Sequence, residues 1–324
     1  MNKIDKTYIE IFNNNNLVPI KDFFEKNKPF TLTVNCMTYN HKNYIRKCLD
    51  GILSQETNFA FEVIVHDDAS TDGSTEIIKE YAQRYPHIIK PYLENENQYK
   101  KDGYKTIFKI FSKESKGKYI AYCEGDDYWI DPHKLQKQVE ILEKNKNVQM
   151  VYTGFKCINA QGDIIKRPDR EKLVNKSKSG DVFASLLRRN FIMTLTMCCR
   201  KEIVSSSVFL EAQIIQDYLI ALLCAALGDL IYIPDQTGCY RLSPNGAMQT
   251  QSRLVFKRNC WIRGYVFKLF VQKKFRSRSF IKKVLVYASY SVTKLRTSYT
   301  LLKWFIKDNY IKLWLSGLVW NFHL

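Results

Sequence analysis

The stretch Lys118–Asp131, KYIAYCEGDDYWID, decides how the rest of the chain is read. Tyr119-Ile120-Ala121-Tyr122-Cys123 has the apolar and aromatic composition of a buried strand, and it drives straight into Glu124-Gly125-Asp126-Asp127. A buried strand that ends in three carboxylates needs a cation there, and a divalent metal is the best candidate. Gly125 lets the backbone turn sharply, so Glu124 and Asp126 can face one side of the turn and share an ion with phosphate oxygens. Tyr128-Trp129 is expected to form a flat wall beside it. The competing reading is a solvated acidic turn ahead of a helix, because Asp131-Pro132 is a good N-cap and first-turn pair for the amphipathic segment Leu135, Val139, Leu142.

A second acidic pair follows an earlier strand, where Phe61-Glu62-Val63-Ile64-Val65 runs into His66-Asp67-Asp68-Ala69-Ser70-Thr71-Asp72. In an open parallel sheet the carboxyl ends of neighbouring strands line one crevice, so both acidic clusters are expected in one cleft. Thr31–Cys36 reads as a further strand, Tyr39-Asn40-His41 as a turn, and the next segment as a helix with Ile45, Leu49 and Ile52 on one face. A helix over 74–84, a short strand near 88–92 and a helix over 104–113 complete an alternating series. That alternation predicts an α/β fold whose mostly parallel sheet is covered by helices on both faces.

The 324 residues suffice for a large core, and 45% hydrophobic with 25% charged residues is ordinary for an α/β protein of one or two domains. The formal charge of +18 is unevenly placed, since residues 251–324 carry 16 Lys and Arg against one acid, Asp308. A pI near 9.4 raises nucleic-acid binding. The basic excess is confined to the tail, however, and an acidic cleft repels a phosphate backbone, so no nucleic-acid partner is expected. Nine cysteines without zinc-type or thioredoxin-type spacing read as reduced, buried thiols. MNKIDKTYIEIFNNNN has no apolar core of signal-peptide length, and no stretch reaches the roughly 18 uncharged apolar residues of a spanning helix. These features predict a cytoplasmic protein.

TVNCMTYN followed by YIRKCLDGILSQ, then VIVHDDASTDGST, then KYIAYCEGDDYWIDPHKLQKQVEIL, cover about residues 30 to 145 in an order that resembles the family 2 glycosyltransferases, with their GT-A nucleotide-binding domain. The resemblance implies that Tyr39 packs on the nucleotide base or ribose and that Asp68 accepts a hydrogen bond from a pyrimidine imide. The structural alternative for Asp68 is a cap for the helix after Asp72. Glu124-Gly125-Asp126 stands where the family has Asp-x-Asp. This implies Asp126 as a direct ligand of Mn2+ or Mg2+, Glu124 as a ribose contact or a support for the metal ligand, and Asp127 as structural or a water-mediated metal ligand. Met37 replaces the Pro of many members, and GYKTIFKIF lacks their Asn-Arg pair.

In the second half, Gln213-Ile214-Ile215-Gln216-Asp217-Tyr218 opens a long apolar helix, Leu219 to Leu227. A carboxylate at a helix start looking back at the cleft is placed to take a proton, and the segment resembles the family's Glu-Asp or Gln-Asp motif. The resemblance implies Asp217 as general base; the alternative is an acid that merely complements the helix dipole. Tyr240-Arg241-Leu242-Ser243-Pro244-Asn245-Gly246 matches a family segment that folds over the donor diphosphate, which implies a contact from Arg241.

The expected organisation is a leader over 1–29, a GT-A domain over 30–250 with a nucleotide half (30–130) and an acceptor half (131–250), and a basic helical tail over 251–324. The implied activity is an inverting, metal-dependent transfer from a nucleotide sugar, first a UDP-sugar, to a hydroxyl of a glycan or lipid-linked acceptor in cell-surface polysaccharide synthesis. A sugar-nucleotide pyrophosphorylase is a rival, but it would carry a Gly-rich loop after the first strand, and Cys36–Lys42 has no Gly. A non-catalytic sugar-binding module would need neither Asp126 nor Asp217. The tail interleaves bases with large apolar groups, as in Lys303-Trp304-Phe305-Ile306-Lys307 and Ile311-Lys312-Leu313-Trp314-Leu315. An anionic membrane surface at the inner face of the cell membrane is therefore an expected partner. The alternative is that Leu301, Phe305 and Trp314 pack on the catalytic domain.

Overall fold

A computed structural model describes residues 18–19, 29–167, 178–242, 252–272 and 280–315. Most of the leader, and residues 243–246 of the segment Tyr240–Gly246 expected to fold over a donor, lie outside the described residues. In chain order the first half forms β1 (Val18–Pro19), β2 (Leu32–Thr38), α1 (Ile45–Leu53), β3 (Glu56–Thr57), β4 (Phe61–Asp67), α2 (Ser74–Arg84), β5 (Ile89–Leu93), α3 (Gln98–Asp102), α4 (Lys105–Glu114), β6 (Tyr119–Tyr122) and β7 (Tyr128–Trp129). There follow α5 (Lys134–Lys144), β8 (Val148–Ile158), α6 (Phe183–Arg188), a 3-10 turn (Thr194–Thr196), β9 (Cys198–Arg200), α7 (Lys201–Val204), α8 (Ser207–Leu210), α9 (Asp217–Leu227), β10 (Asp229–Arg241), α10 (Ser252–Val271) and α11 (Phe280–Leu315).

β1 pairs only with β3, and the other eight strands form one sheet in the order β5-β4-β2-β6-β9-β8-β10-β7. β5, β4, β2 and β6 are parallel, as the alternating sequence predicts. β9 and β7 run antiparallel to their neighbours, so the second half makes the sheet mixed, though mainly parallel. Every residue of β4 is buried, the continuous pattern of a strand covered on both faces rather than the alternation of a half-exposed one. Ile45, Cys48, Leu49 and Ile52 of α1 cover one face with Leu32, Val34 and Cys36. α9 is apolar all round and buried from Tyr218 to Ala226, which requires cover on every side.

That cover comes from the basic tail. Ile262 and Val266 of α10 are fully buried in the same core cluster as α9. α11 lies on α6, where Thr293 Oγ1 donates to the Leu187 carbonyl at 3.2 Å and Arg188 Nε donates to Ser289 Oγ at 3.0 Å. Phe267 stacks on Tyr290 with ring centroids 3.8 Å apart, joining the two helices. The side chains of Leu301, Lys303–Lys307 and Ile311–Leu315 lie outside the described residues. Among the described residues no helix is long and apolar enough to cross a membrane. All nine cysteines are free thiols, and eight of them are buried, as their spacing suggests.

Candidate active site

β2 ends between β4 and β6, so the loops after these three parallel strands share one edge of the sheet. Gly125 N–H donates to the Met37 carbonyl at 2.8 Å. A Cβ on Gly125 would lie 2.4 Å from Thr38 Oγ1 and 2.9 Å from His41 Nδ1, so the turn can pass this close only as glycine. Asp127 N–H then donates back to the Glu124 carbonyl at 2.9 Å. The turn brings one carboxylate oxygen each of Glu124, Asp126 and Asp127 within 4.8 Å of one another. Asp127 is 1% exposed. Its Oδ1 accepts the Arg241 backbone N–H at 2.7 Å, while its Oδ2 has no hydrogen-bond partner among the described residues.

An orphaned buried carboxylate oxygen is costly, and this one is surrounded by like charge. Burial, with Asp126 and Glu124 close by, pushes the Asp127 carboxyl well above the usual range. Burial, with Asp126 and Asp217 close by, pushes Glu124 up to about 8. Three converging oxygen donors under that strain fit a hard divalent cation.

Asp217 is the first residue of α9. Its Oδ1 accepts the Tyr218 N–H at 2.7 Å and its Oδ2 accepts the Thr194 hydroxyl at 3.3 Å. The carboxylate thus takes a first-turn N–H, as a helix-start acid does, and at the same time its charge reaches Glu124. Burial raises the Asp217 carboxyl above its ordinary value, the two hydrogen bonds acting in the opposite sense. Tyr104 belongs to the same group, since burial and then the charges of Glu124, Tyr99 and Asp217 push its hydroxyl far up.

Tyr39 is half-exposed after β2, next to Asn40 in a left-handed backbone conformation (φ 56°). Asn40 N–H donates to Ser70 Oγ at 2.8 Å, Thr71 N–H donates to Asn40 Oδ1 at 2.8 Å, and Lys42 N–H donates to Asp72 Oδ2 at 2.9 Å. These bonds lace the loops after β2 and β4 together. Asp68 is buried and accepts the N–H groups of Gln98 at 2.6 Å and Tyr99 at 3.1 Å, so it caps α3. The helix after Asp72 starts from Gly73, and Asp72, one residue earlier, accepts the Ser74 N–H at 2.9 Å. With β2 between β4 and β6, the strand spacing sets the Asp68 loop roughly 10 Å from the acidic turn.

Arg241 reaches the site from behind. It is 6% exposed; Nε donates to the Asp126 carbonyl at 2.8 Å, and Nη1 donates to the carbonyls of Asn159 at 2.8 Å and Ala160 at 3.0 Å. Its guanidinium lies 4.1 Å from the Tyr44 ring centroid. These bonds brace the acidic turn and occupy Nε and Nη1 of the guanidinium. Tyr128 and Trp129 do not form an open wall. β10 gives them a partner strand, both are buried, and Trp129 Nε1 donates to the Leu195 carbonyl at 3.0 Å.

Sequence reasoning misses two residues at this edge. His41 Nε2 is 4.0 Å from Asp126 Oδ2 and its Nδ1 is 3.2 Å from Thr38 Oγ1. It follows directly on Tyr39-Asn40, so the signal is present but reads as part of a turn. Arg258 of α10 donates from Nη1 to the Tyr99 hydroxyl at 3.0 Å, and the Tyr99 ring lies 4.9 Å from that of Tyr104. One base among 16 in the tail gives no such signal.

Residues 33–202 match the family described as Glycosyl transferase family 2. An uncharacterised protein of Mycobacterium tuberculosis (strain ATCC 25618 / H37Rv) is 34% identical over 215 residues, 66% of this chain and 60% of that protein. The chain therefore spans about 60% of the length of such curated relatives. Among solved structures, S. aureus TarS 1–349 in complex with UDP-GlcNAc superposes with a TM-score of 0.54 at 16% identity, covering 73% of this chain and 66% of that one. The mannosyltransferase PcManGT from Pyrobaculum calidifontis, in complex with GDP-Man and Mn2+, gives 0.51 at 17% identity, covering 95% and 91%. At these identities the likeness is one of fold, and the fold is GT-A.

Proposed function

This chain belongs to glycosyl transferase family 2, and from that premise we propose that it transfers a sugar from a UDP-sugar to a hydroxyl of a glycan or lipid-linked acceptor, with inversion at the anomeric carbon. The observation that carries this reading is the placement of Asp217. A half-buried carboxylate with a raised pKa, fixed at a helix start and facing the acidic turn, is suited to take the acceptor proton. Asp126 and Asp127 would hold a divalent cation, with Glu124 beside them toward the ribose. Such a cation supplies Lewis-acid stabilisation to the leaving nucleoside diphosphate. Base and leaving group on opposite faces of the sugar give a single displacement with no covalent intermediate.

The preference for uridine rests on Asp68, whose two oxygens each keep a lone pair after accepting the Gln98 and Tyr99 N–H groups. Those lone pairs suit an imide N–H, with Tyr39 stacking on the base. Relatives of the same fold have been solved with UDP-GlcNAc and with GDP-Man, so donor choice is tested directly rather than carried over. Turnover of UDP-, dTDP- and GDP-sugars is measured with Mn2+ or Mg2+ and in excess chelator. A UDP-sugar is expected to turn over, and chelator or Asp126→Asn to abolish turnover. Asp217→Asn is expected to bind donor as the parent does and to lose about 10²–10⁴-fold in rate. Parental turnover by Asp217→Asn overturns the base assignment, and full activity in chelator overturns the metal.

A further inference from the structure

α11 buries one apolar face and leaves a second in water. Val286, Ser289 and Thr293 turn inward and are buried. Away from them stand Val284 (48% exposed), Val292 (42%), Leu295 (72%) and Tyr299 (60%). With Ala288 in the series they recur every three or four residues, which on a helix of 3.6 residues per turn is one continuous stripe. A helix anchored by its inner face has no folding reason to carry large apolar side chains along its outer one.

The charge around the stripe selects its occupant. Lys283 and Lys294 lie to one side of it and Arg296 to the other, and between Phe280 and Lys307 the helix has no acid. Apolar residues at this spacing would also suit a helix–helix seam with a second copy. Such a seam would set the bases around the stripe of one copy against those of the other, with no carboxylate between Phe280 and Lys307 to pair them. An anionic bilayer satisfies both features, taking the apolar stripe into the interface and the bases into its headgroups. We infer that the outer face of α11 is a docking surface for an anionic lipid bilayer. This goes beyond the transfer reaction and does not rest on it.

The test uses the full chain and vesicle flotation, with vesicles of phosphatidylcholine alone and of equal parts phosphatidylcholine and phosphatidylglycerol. The parent is expected to float with the anionic vesicles at low salt and to stay behind with the neutral ones. Val292→Glu with Leu295→Glu is expected to cut the bound fraction about tenfold or more while leaving thermal melting unchanged, because both positions are exposed. Lys294→Gln with Arg296→Gln is expected to weaken binding and flatten its salt dependence. Equal flotation of the parent and the glutamate variant overturns the inference. So does sedimentation showing a parental dimer that the glutamate variant dissociates, since that assigns the face to a second copy.

Discussion

Glu124 is where burial and charge meet most directly, and its titration gives a stability signature. An unfolded glutamate titrates near 4.3, whereas burial beside Asp126 and Asp217 raises Glu124 to about 8. Between those values the folded state binds more protons than the unfolded one, so stability falls as pH rises through the window. A salt-bridged carboxylate would do the opposite. In chelator, the melting temperature is expected to decline from about pH 5 to pH 8. Glu124→Gln should remove part of that slope but not all of it, because Asp127 and Asp217 shift in the same direction. A decline of parental steepness in Glu124→Gln would place the titration elsewhere. The three acids of this turn were legible in KYIAYCEGDDYWID, since a strand that ends in carboxylates around a glycine needs no tertiary information to stand out. The bracing by Arg241 was not legible, because β10 delivers that guanidinium from 115 residues away.

At the scale of elements, periodicity was enough for α2, read as 74–84 and formed as Ser74–Arg84. β7 and β9 are two and three residues long and carry no period, so only the finished sheet reveals them. The same holds for contacts between distant helices. α4 lacks the Asn-Arg pair that family members place before the acidic turn, and α10 brings Arg258 to Tyr99 and Tyr104 at that edge. Arg258 Nη1 donates to the Tyr99 hydroxyl at this edge, and a contact from the same guanidinium to a substrate phosphate is a hypothesis that substitution tests. Loss of one charge-assisted hydrogen bond of about 1.5–3 kcal/mol corresponds to roughly 10- to 100-fold in rate or affinity. Arg258→Gln is expected to lower kcat/KM for the nucleotide sugar by that factor with little change in melting temperature. Arg258→Lys should recover only part, because a point charge lacks the guanidinium fork. Unchanged steady-state kinetics in Arg258→Gln would leave Arg258 as a strut for the Tyr99 hydroxyl.

For the whole molecule, the uneven charge marks residues 251–324 as a basic helical region, and the packing shows how part of it joins the core. Composition counts the bases of residues 251–324 but does not show which apolar residues between them turn inward. Ile262, Val266 and Val286 do, and they close the core over α9 and α6. Burying one side chain of the size of Val286 contributes about 1.5–3 kcal/mol, and each kcal/mol corresponds to roughly 2–4 °C of melting temperature at this chain size. Removal of residues 279–324 is therefore expected to lower the melting temperature by about 5 °C or more while sparing donor binding, because the acidic turn and Asp217 lie on other elements. Removal of residues 243–324 also strips α10 from α9, whose sides are all apolar, and is expected to yield insoluble protein. Calorimetry and donor-induced thermal shifts distinguish these outcomes. A shortened chain ending at Arg278 that melts with the parent would show α11 to be an independent appendage and not part of the closed core.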